Sequence, residues 1–473
     1  MLVSDPVYPR LKDFLLESSG LAYYADKDSD LAERISRRLG TVGLSDCAAY
    51  LELLQDGPAG EAEFDAVIAE LTIGETYFFR HREQFEAIRD ILIPDVIGRK
   101  KDSKRLRIWS AGCATGAEAY SIAILLKEEL SHQLAGWDVS ILGTDINREF
   151  LALAAAGKYE EWAFRSCPED LKRRCFSPSA KSWVIAPEFK KCVSFQHHNL
   201  VKHAFPSLLH NLAAFDLILC RNVMIYFSAE IIRKLVGQFE RSLVEGGWLL
   251  VGHSEPNVEF FQSFRTLNRP GATLYQRIGE PEGGALSAAI SLQPKRPSTS
   301  LEKGLPTWRA TSPSPKVDFE KRTAISAVTP TRAKLEQVEA IKPELASIRR
   351  LANQGRWDTA ARSCEELLQR EKLNAVAQFY YALVLEQIGQ HAETERSLRR
   401  AIYLDRNFIL AHYCLGLCLQ KKGDATGAAR CFRNVLKLLS PLEPSHLFVE
   451  GDGVTASELS EITTMHLEAL QGS

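Results

Sequence analysis

The sequence predicts an α/β protein: a doubly wound sheet, preceded by a small all-helical domain and followed by an all-α repeat array. Three observations carry this. Between about residues 91 and 278, short apolar runs alternate with segments of helical periodicity. The first 90 residues show helical periodicity alone. Gly355, Gly389 and Gly423 recur at an interval of 34 residues, the period of stacked helical hairpins.

In the N-terminal part, Leu11–Ser18, Asp30–Leu39, Cys47–Leu54 and Glu61–Ile73 repeat their apolar positions at helical spacing, with breaks at Gly20, Gly40 and Gly57-Pro58. Arg34, Arg37 and Arg38 stand at i, i+3 and i+4 and so crowd one side of a helix. Such a cluster is either a solvated face or a basic face offered to an acidic partner. Next comes Thr72–Arg80, in which Phe78 and Phe79 immediately precede an arginine.

The runs Leu106–Trp109, Val139–Gly143, Phe215–Leu219 and Trp248–Gly252 read as buried parallel strands. After the first, Ser110–Gly116 breaks into small residues, and helical spacing resumes through Tyr120, Ala123 and Ile124. A strand, a glycine loop and a helix form the first half of a nucleotide-type cofactor site, because Gly112 and Gly116 let backbone approach a ligand. The second strand ends in Gly143-Thr144-Asp145, where a carboxylate accepts both hydroxyl protons of a ribose. NAD, FAD and S-adenosylmethionine compete for this geometry. The dinucleotide pattern GxGxxG is not met, since Ala114 stands two residues after Gly112. S-adenosylmethionine has no pyrophosphate to cradle, so the pattern leans toward a methyltransferase. Ser182–Ala186 and Lys191–Phe195 around Pro187 suggest a small β insertion at about residues 176–198.

From 279 to 335 the chain is rich in Pro, Ser, Thr and Lys and reads as a flexible linker. Within the repeats, Ala360, Thr394 and Ala428 follow the glycines by five residues, and Leu367, Ala401 and Val435 by twelve. The expected organisation is a helical domain over 1–85, a catalytic domain over 86–278, tetratricopeptide repeats over 336–440, and a tail over 441–473 with a capping helix at Ala456–Leu470.

Composition narrows the function classes. The 473 residues suffice for about three domains. A net charge of -2 argues against a general nucleic-acid binder. No apolar run approaches the ~18 residues of a membrane span, and the N-terminus lacks signal-peptide features, so a cytoplasmic protein is expected. The ten cysteines form no CxxC pair and read as reduced, mostly buried thiols. Cys414 and Cys418 read as core, His197-His198 has no companion at ligand spacing, and no metal is expected.

Five stretches taken in order resemble the chemotaxis receptor methyltransferases, the CheR family. They are Thr72–Arg80, Ser110–Ser121, Gly143–Ile146, Phe215–Phe227 and Gly252-His253-Ser254-Glu255. The resemblance covers about residues 5–278. It implies a Rossmann-like S-adenosylmethionine-dependent fold with a helical N-terminal domain and a β insertion; members with C-terminal tetratricopeptide repeats exist. It implies methyl transfer to glutamate side chains in the cytoplasmic helical region of methyl-accepting chemoreceptors, leaving S-adenosylhomocysteine. The repeats would bind a further protein or peptide, with no nucleic acid and no membrane insertion. The alternative is a catalytically weak, cofactor-binding scaffold that works through the repeats.

The resemblance also implies roles. Thr76 and Arg80 would lie on the cofactor side, with Arg80 reaching the reacting end. Ala111 and Gly112 would line the cofactor loop, and Glu118 would lie by the methionine end. Asp145 would hold the ribose, and Asn199 and Leu200 would touch the adenine. Asn222 and Val223 would border the site, and Tyr226 would point at the transferred methyl. Arg34, Arg37 and Arg38 would meet acidic receptor helices. Where the family's loop usually reads TGEEPYS, this chain reads Thr115-Gly116-Ala117-Glu118-Ala119-Tyr120-Ser121.

Overall fold

Four helices open the chain: α1 (Tyr8–Ser19), α2 (Asp28–Val42), α3 (Cys47–Leu54) and α4 (Gly57–Leu71). In this computed structural model residues 2–279 and 332–471 are described; the stretch expected to be a linker falls outside them from 280 to 331. Asp46 caps α3 by accepting the Ala49 N–H, and Gly20, in the left-handed region at φ 77, ends α1. Gly40 does not break a helix as expected. α2 runs through it and ends at Gly43, φ 72, because its apolar stripe Leu31, Ile35 and Leu39 is held in the core by Leu11, Leu15, Tyr50 and Val67.

The α/β part follows. α5 (Arg82–Ala87) and α6 (Ile93–Arg99) lead into β1 (Arg105–Ala111), α7 (Ala117–Glu129), β2 (Asp138–Asp145) and α8 (Arg148–Ala156). Then come β3 (Lys158–Glu160), α9 (Glu169–Cys175), β4 (Phe176–Ser179), β5 (Ser182–Ile185), α10 (Pro187–Lys190) and β6 (Val193–His197). The sheet is completed by β7 (Phe215–Cys220), α11 (Ala229–Ser242), β8 (Leu243–Val251), β9 (Phe264–Arg269) and β10 (Ala272–Arg277). Seven strands pair in the order β6-β2-β1-β7-β8-β10-β9. The first five are parallel, and β10 runs antiparallel to β8 and β9. The strand order reverses between β1 and β7, which opens a crevice at their carboxyl ends. Strand alternation feeds two cores: Ile108, Leu217, Leu219 and Leu250 pack on the α7 side, while Trp109, Ile218 and Leu249 pack with Phe239 of α11.

The β insertion differs from expectation. It is the antiparallel sheet β3-β5-β4, and it starts at Lys158 rather than near residue 176. The expected second strand, Lys191–Phe195, does not belong to it. Val193–His197 pairs parallel to β2 as the edge of the main sheet, a non-local pairing that the alternation of polar and apolar residues does not reveal.

The C-terminal part holds α12 (Arg332–Asn353), α13 (Trp357–Arg370), α14 (Ala375–Gln387), α15 (His391–Leu404), α16 (Ile409–Lys421), α17 (Ala425–Leu439) and α18 (Ala456–Gln471). Gly355, Gly389 and Gly423 take φ 75, 77 and 84 at the turns. Ala360, Ala382, Ala401 and Ala428 are fully buried where the helices approach. A Cβ on Gly416 would lie 2.5 Å from the Phe432 ring. This is an all-α tetratricopeptide-type array. α18 also meets the first half of the chain: Ser457 donates to Glu61 at 2.6 Å, and Arg148 pairs with both Asp65 and Glu461. Among the described residues, no helix is long and apolar enough to cross a membrane, and no cluster of His, Cys, Asp and Glu is arranged to hold a metal ion.

Candidate active site

The crevice is walled on one side by the carboxyl ends of β1, β2 and β7 and on the other by the helical domain, through Ser19, Leu21, Tyr23 and Leu71. The glycine loop and Asp145 lock one another. Gly112 has φ 76 and donates its N–H to Thr144 O at 2.7 Å. Ala114, a non-glycine residue at φ 47, is held there by its N–H on Asp145 Oδ2 at 2.8 Å. Asp145 Oδ1 accepts the Asn147 N–H at 2.9 Å. Burial pushes the Asp145 carboxyl up to about 6, against the pull of these backbone N–H groups. A Cβ on Gly112 would lie 2.3 Å from Val223 Cγ2, so only glycine leaves the crevice open there.

The two phenylalanines before Arg80 are anchors. Phe78 is fully buried and its N–H donates to Ala163 O; the Phe79 N–H donates to Ser121 Oγ at 3.0 Å. With Phe79 and His81 both at positive φ, 58 and 61, the backbone turns Arg80 into the crevice wall. Arg80 Nη1 donates to Glu75 O at 2.9 Å, while its Nε is buried with no partner among the described residues.

Behind Arg80 lies a buried network. Arg221, its side chain 2% exposed, meets Glu118 Oε2 at 2.8 Å, Gln84 Oε1 at 2.6 Å, and the Arg80 carbonyl. Ser110 Oγ donates to Glu118 Oε1 at 2.6 Å. Glu118 is thus held rigid at the first turn of α7, facing the crevice. Tyr226 stands on the opposite wall, edge-on to Tyr23 with ring centroids 5.8 Å apart. Burial raises its phenol above the ordinary range, so at neutral pH it is a hydrogen-bond donor.

The crevice therefore brings together Thr76, Arg80, Gly112, Glu118, Asp145, Asn199, Leu200, Asn222, Val223 and Tyr226. Ala111 is not among them: it is the last residue of β1, 1% exposed, and packs with Trp109 and Leu142 beneath the loop. The Asn199 side chain is spent on Ser18 O and on the N–H groups of Val201 and Lys202. Arg34, Arg37 and Arg38 lie on α2 and are not among the residues that line the crevice. The Arg38 guanidinium is engaged by Glu63 at 2.7 and 3.0 Å, Arg37 by Glu33 and Glu70, and Arg34 by the Glu70 carbonyl. No role could be read from the sequence for Arg221 and Gln84. A charged side chain ending the apolar run Phe215–Cys220 was the one available signal for Arg221.

The chain matches "CheR methyltransferase, SAM binding domain" over residues 74–271 and "CheR methyltransferase, all-alpha domain" over residues 7–72. A "Probable chemotaxis protein methyltransferase" of Rhizobium etli is 34% identical over 245 residues, which is 51% of this chain and 89% of the relative. The chain belongs to the CheR methyltransferase family. This CheR protein is also 27% identical over 425 residues to the "Probable biofilm formation methyltransferase WspC" of Pseudomonas aeruginosa, covering 89% of this chain and 96% of that one. Among solved structures, PcrH of Pseudomonas aeruginosa is 19% identical, at a TM-score of 0.24, over 31% of this chain and 99% of that one; a likeness so slight carries nothing further.

As a CheR enzyme the chain is an S-adenosylmethionine-dependent protein methyltransferase, and its crevice fits that cofactor. Gly112 leaves a cradle that a Cβ would fill. Asp145 is an acceptor at the second strand tip. Arg80 Nε and Asn222 Oδ1, on the wall, are buried polar atoms without partners among the described residues, which a ligand rich in donors and acceptors would satisfy.

Proposed function

We propose that this CheR protein methylates glutamate carboxylates in the cytoplasmic helical region of a methyl-accepting chemoreceptor, giving glutamate methyl esters in a chemotaxis-type pathway. The relatives' names support the pathway. The observation that carries the chemistry is a guanidinium with an unspent donor, Arg80, in one crevice with a protonated phenol, Tyr226. S-adenosylmethionine, when bound, supplies a sulfonium methyl. A glutamate carboxylate, with an ordinary pKa near 4.3, is already ionised at neutral pH, so the chain's task is alignment. Arg80 orients the carboxylate by charge-assisted hydrogen bonds, and Tyr226 fixes the line of approach with one more. Alignment of this kind supplies roughly 7–11 kcal/mol.

Arg34 and Arg37, in the middle of α2, remain the basic groups we assign to an acidic receptor helix; Arg38 is tied to Glu63 and braces α2 on α4. We assign the repeats a protein partner. The groove between α15, α16 and α17 is rimmed by Arg406, Arg430 and Lys437 with no acid in its lining, which suits an acidic segment.

The test is methyl transfer from labelled donor to receptor cytoplasmic fragments by the full chain. Label released as methanol in mild alkali marks an ester; alkali-stable label would mean methylation at nitrogen and overturn the reading. Tyr226→Phe is expected to lower kcat about tenfold, the worth of one hydrogen bond made at the reacting end, and to leave S-adenosylhomocysteine affinity within about twofold. Calorimetry and initial rates separate the two.

A further inference from the structure

Gly252-His253-Ser254-Glu255 has no role so far. It follows β8 directly, beside the carboxyl end of β7, with Cys220 paired to Val251 in register. Glu255 folds back on its own turn: Glu255 Oε2 accepts the Gly252 N–H at 2.6 Å, and the Glu255 N–H donates to Gly252 O at 3.0 Å. The same carboxylate then crosses to the β7 loop. Oε2 accepts the Asn222 N–H at 2.9 Å. Oε1 accepts the N–H of Val223 at 2.9 Å and of Ile225 at 3.3 Å. Four backbone donors converge on one side chain, and three of them belong to the loop that ends in Tyr226.

That loop needs holding. Asn222 sits at φ 60, a left-handed conformation that asparagine enters more readily than other non-glycine residues and that sets the turn of the loop. The backbone N–H groups of Asn222, Val223 and Ile225 all turn to Glu255, and a carboxylate is the acceptor that can take several at once. Glycine at 252 is part of the device, since a Cβ there would lie 2.6 Å from Glu255 Oε2 and 2.9 Å from the Asn222 nitrogen. The neighbouring His253 ring lies tilted by 40° against His81, with centroids 4.4 Å apart, next to Arg80. The strand end therefore meets the Asn222–Tyr226 loop through its backbone N–H groups and the Arg80 segment through the His81 ring.

We infer that Glu255 is a positioning residue for methyl transfer: its carboxylate holds the Asn222–Tyr226 loop in the one geometry that lines the cofactor crevice and presents the Tyr226 phenol. This rests on the role given to Tyr226 above, and the experiment separates the two. Glu255→Gln replaces one acceptor oxygen by an NH₂ that faces N–H donors and cannot bind them. It is expected to weaken S-adenosylhomocysteine binding about tenfold, the loss of one or two charge-assisted hydrogen bonds, and to lower kcat by a similar factor. Gly252→Ala, which presses on the same contact from the other side, is expected to act in the same direction. In a double-mutant cycle, Glu255→Gln is expected to cost little further kcat once Tyr226→Phe is in place, because its effect on rate runs through the phenol.

Calorimetry with S-adenosylhomocysteine, initial rates on a receptor fragment and thermal unfolding are measured on the full chain. A lowered Tm with unchanged ligand affinity and unchanged kcat in folded Glu255→Gln would reduce Glu255 to a structural brace and overturn the inference, as would full additivity with Tyr226→Phe. If Tyr226→Phe alone is silent, the role of Tyr226 fails, and Glu255 is then judged on ligand affinity: a tenfold loss in both Glu255→Gln and Gly252→Ala upholds the loop clamp, and no loss in either removes it.

Discussion

Arg80→Ala is expected to lower turnover on a receptor fragment by about 10²–10³-fold, the range seen when one preorganised group at a reacting centre is removed. The side chain makes few bonds of its own: Nη1 on the Glu75 carbonyl and a loose stacking 5.6 Å above the Tyr77 ring. The bond that braces the segment runs instead from Arg221 to the Arg80 carbonyl, and alanine keeps that carbonyl. Folding should therefore be little disturbed, by about 1 kcal/mol or less, and S-adenosylhomocysteine should still bind. Arg80→Lys keeps the charge but loses the planar fork that meets a carboxylate through two donors, so it should recover only a minor part of the rate. Initial rates at saturating donor, with circular dichroism as the fold control, check this. A near-normal rate for the alanine variant would remove Arg80 from the reacting end.

The parts of this molecule legible in its sequence are those written in local pattern. The apolar run that became β7 is buried along its whole length, and those of β1 and β2 are buried over their C-terminal residues; a run of that kind has few other uses. The turn glycines of the repeats are needed because φ near 80 is costly for any residue with a Cβ, so the period could be read directly. What could not be read is pairing across distance. Three arginines at helical spacing show a basic face in the sequence, but not that Glu63 and Glu70, two helices away, pair with Arg38 and Arg37. Arg221 and Glu118 meet 103 residues apart, and neither announces the other. Ala111 shows a finer limit. The loop was found, but whether its first residue faces ligand or core depends on strand parity, and β1 turns that side chain inward. Glu255 was visible as part of a motif, yet its function lies in whose backbone it reaches, which only the register of β7 against β8 discloses.

Asp145→Ala is expected to weaken S-adenosylhomocysteine binding by about 10²-fold, the worth of two hydrogen bonds to a charged acceptor, with a smaller effect on kcat at saturating donor. The wild-type protein should show the same dependence through pH. Burial raises the Asp145 carboxyl to about 6, so near pH 5 it is largely protonated and no longer accepts both ribose hydroxyl protons. A ligand that prefers the ionised form binds more weakly there; affinity should rise between pH 5 and 7 and then level off. The stability linked to this group runs the other way. With the folded-state pKa above that of the unfolded chain, the native state holds more protons between the two values, so this carboxyl's contribution to stability is full at low pH and is lost as pH rises through about 6. Weak binding at pH 5 is thus not explained by Asp145-linked unfolding, because the same protonation that removes the acceptor stabilises the ligand-free fold. Asp145→Asn keeps the shape and removes the titration, so its affinity should be low and flat over the same range. A flat wild-type profile, or a slope that survives in the asparagine variant, would place the ribose somewhere other than on Asp145.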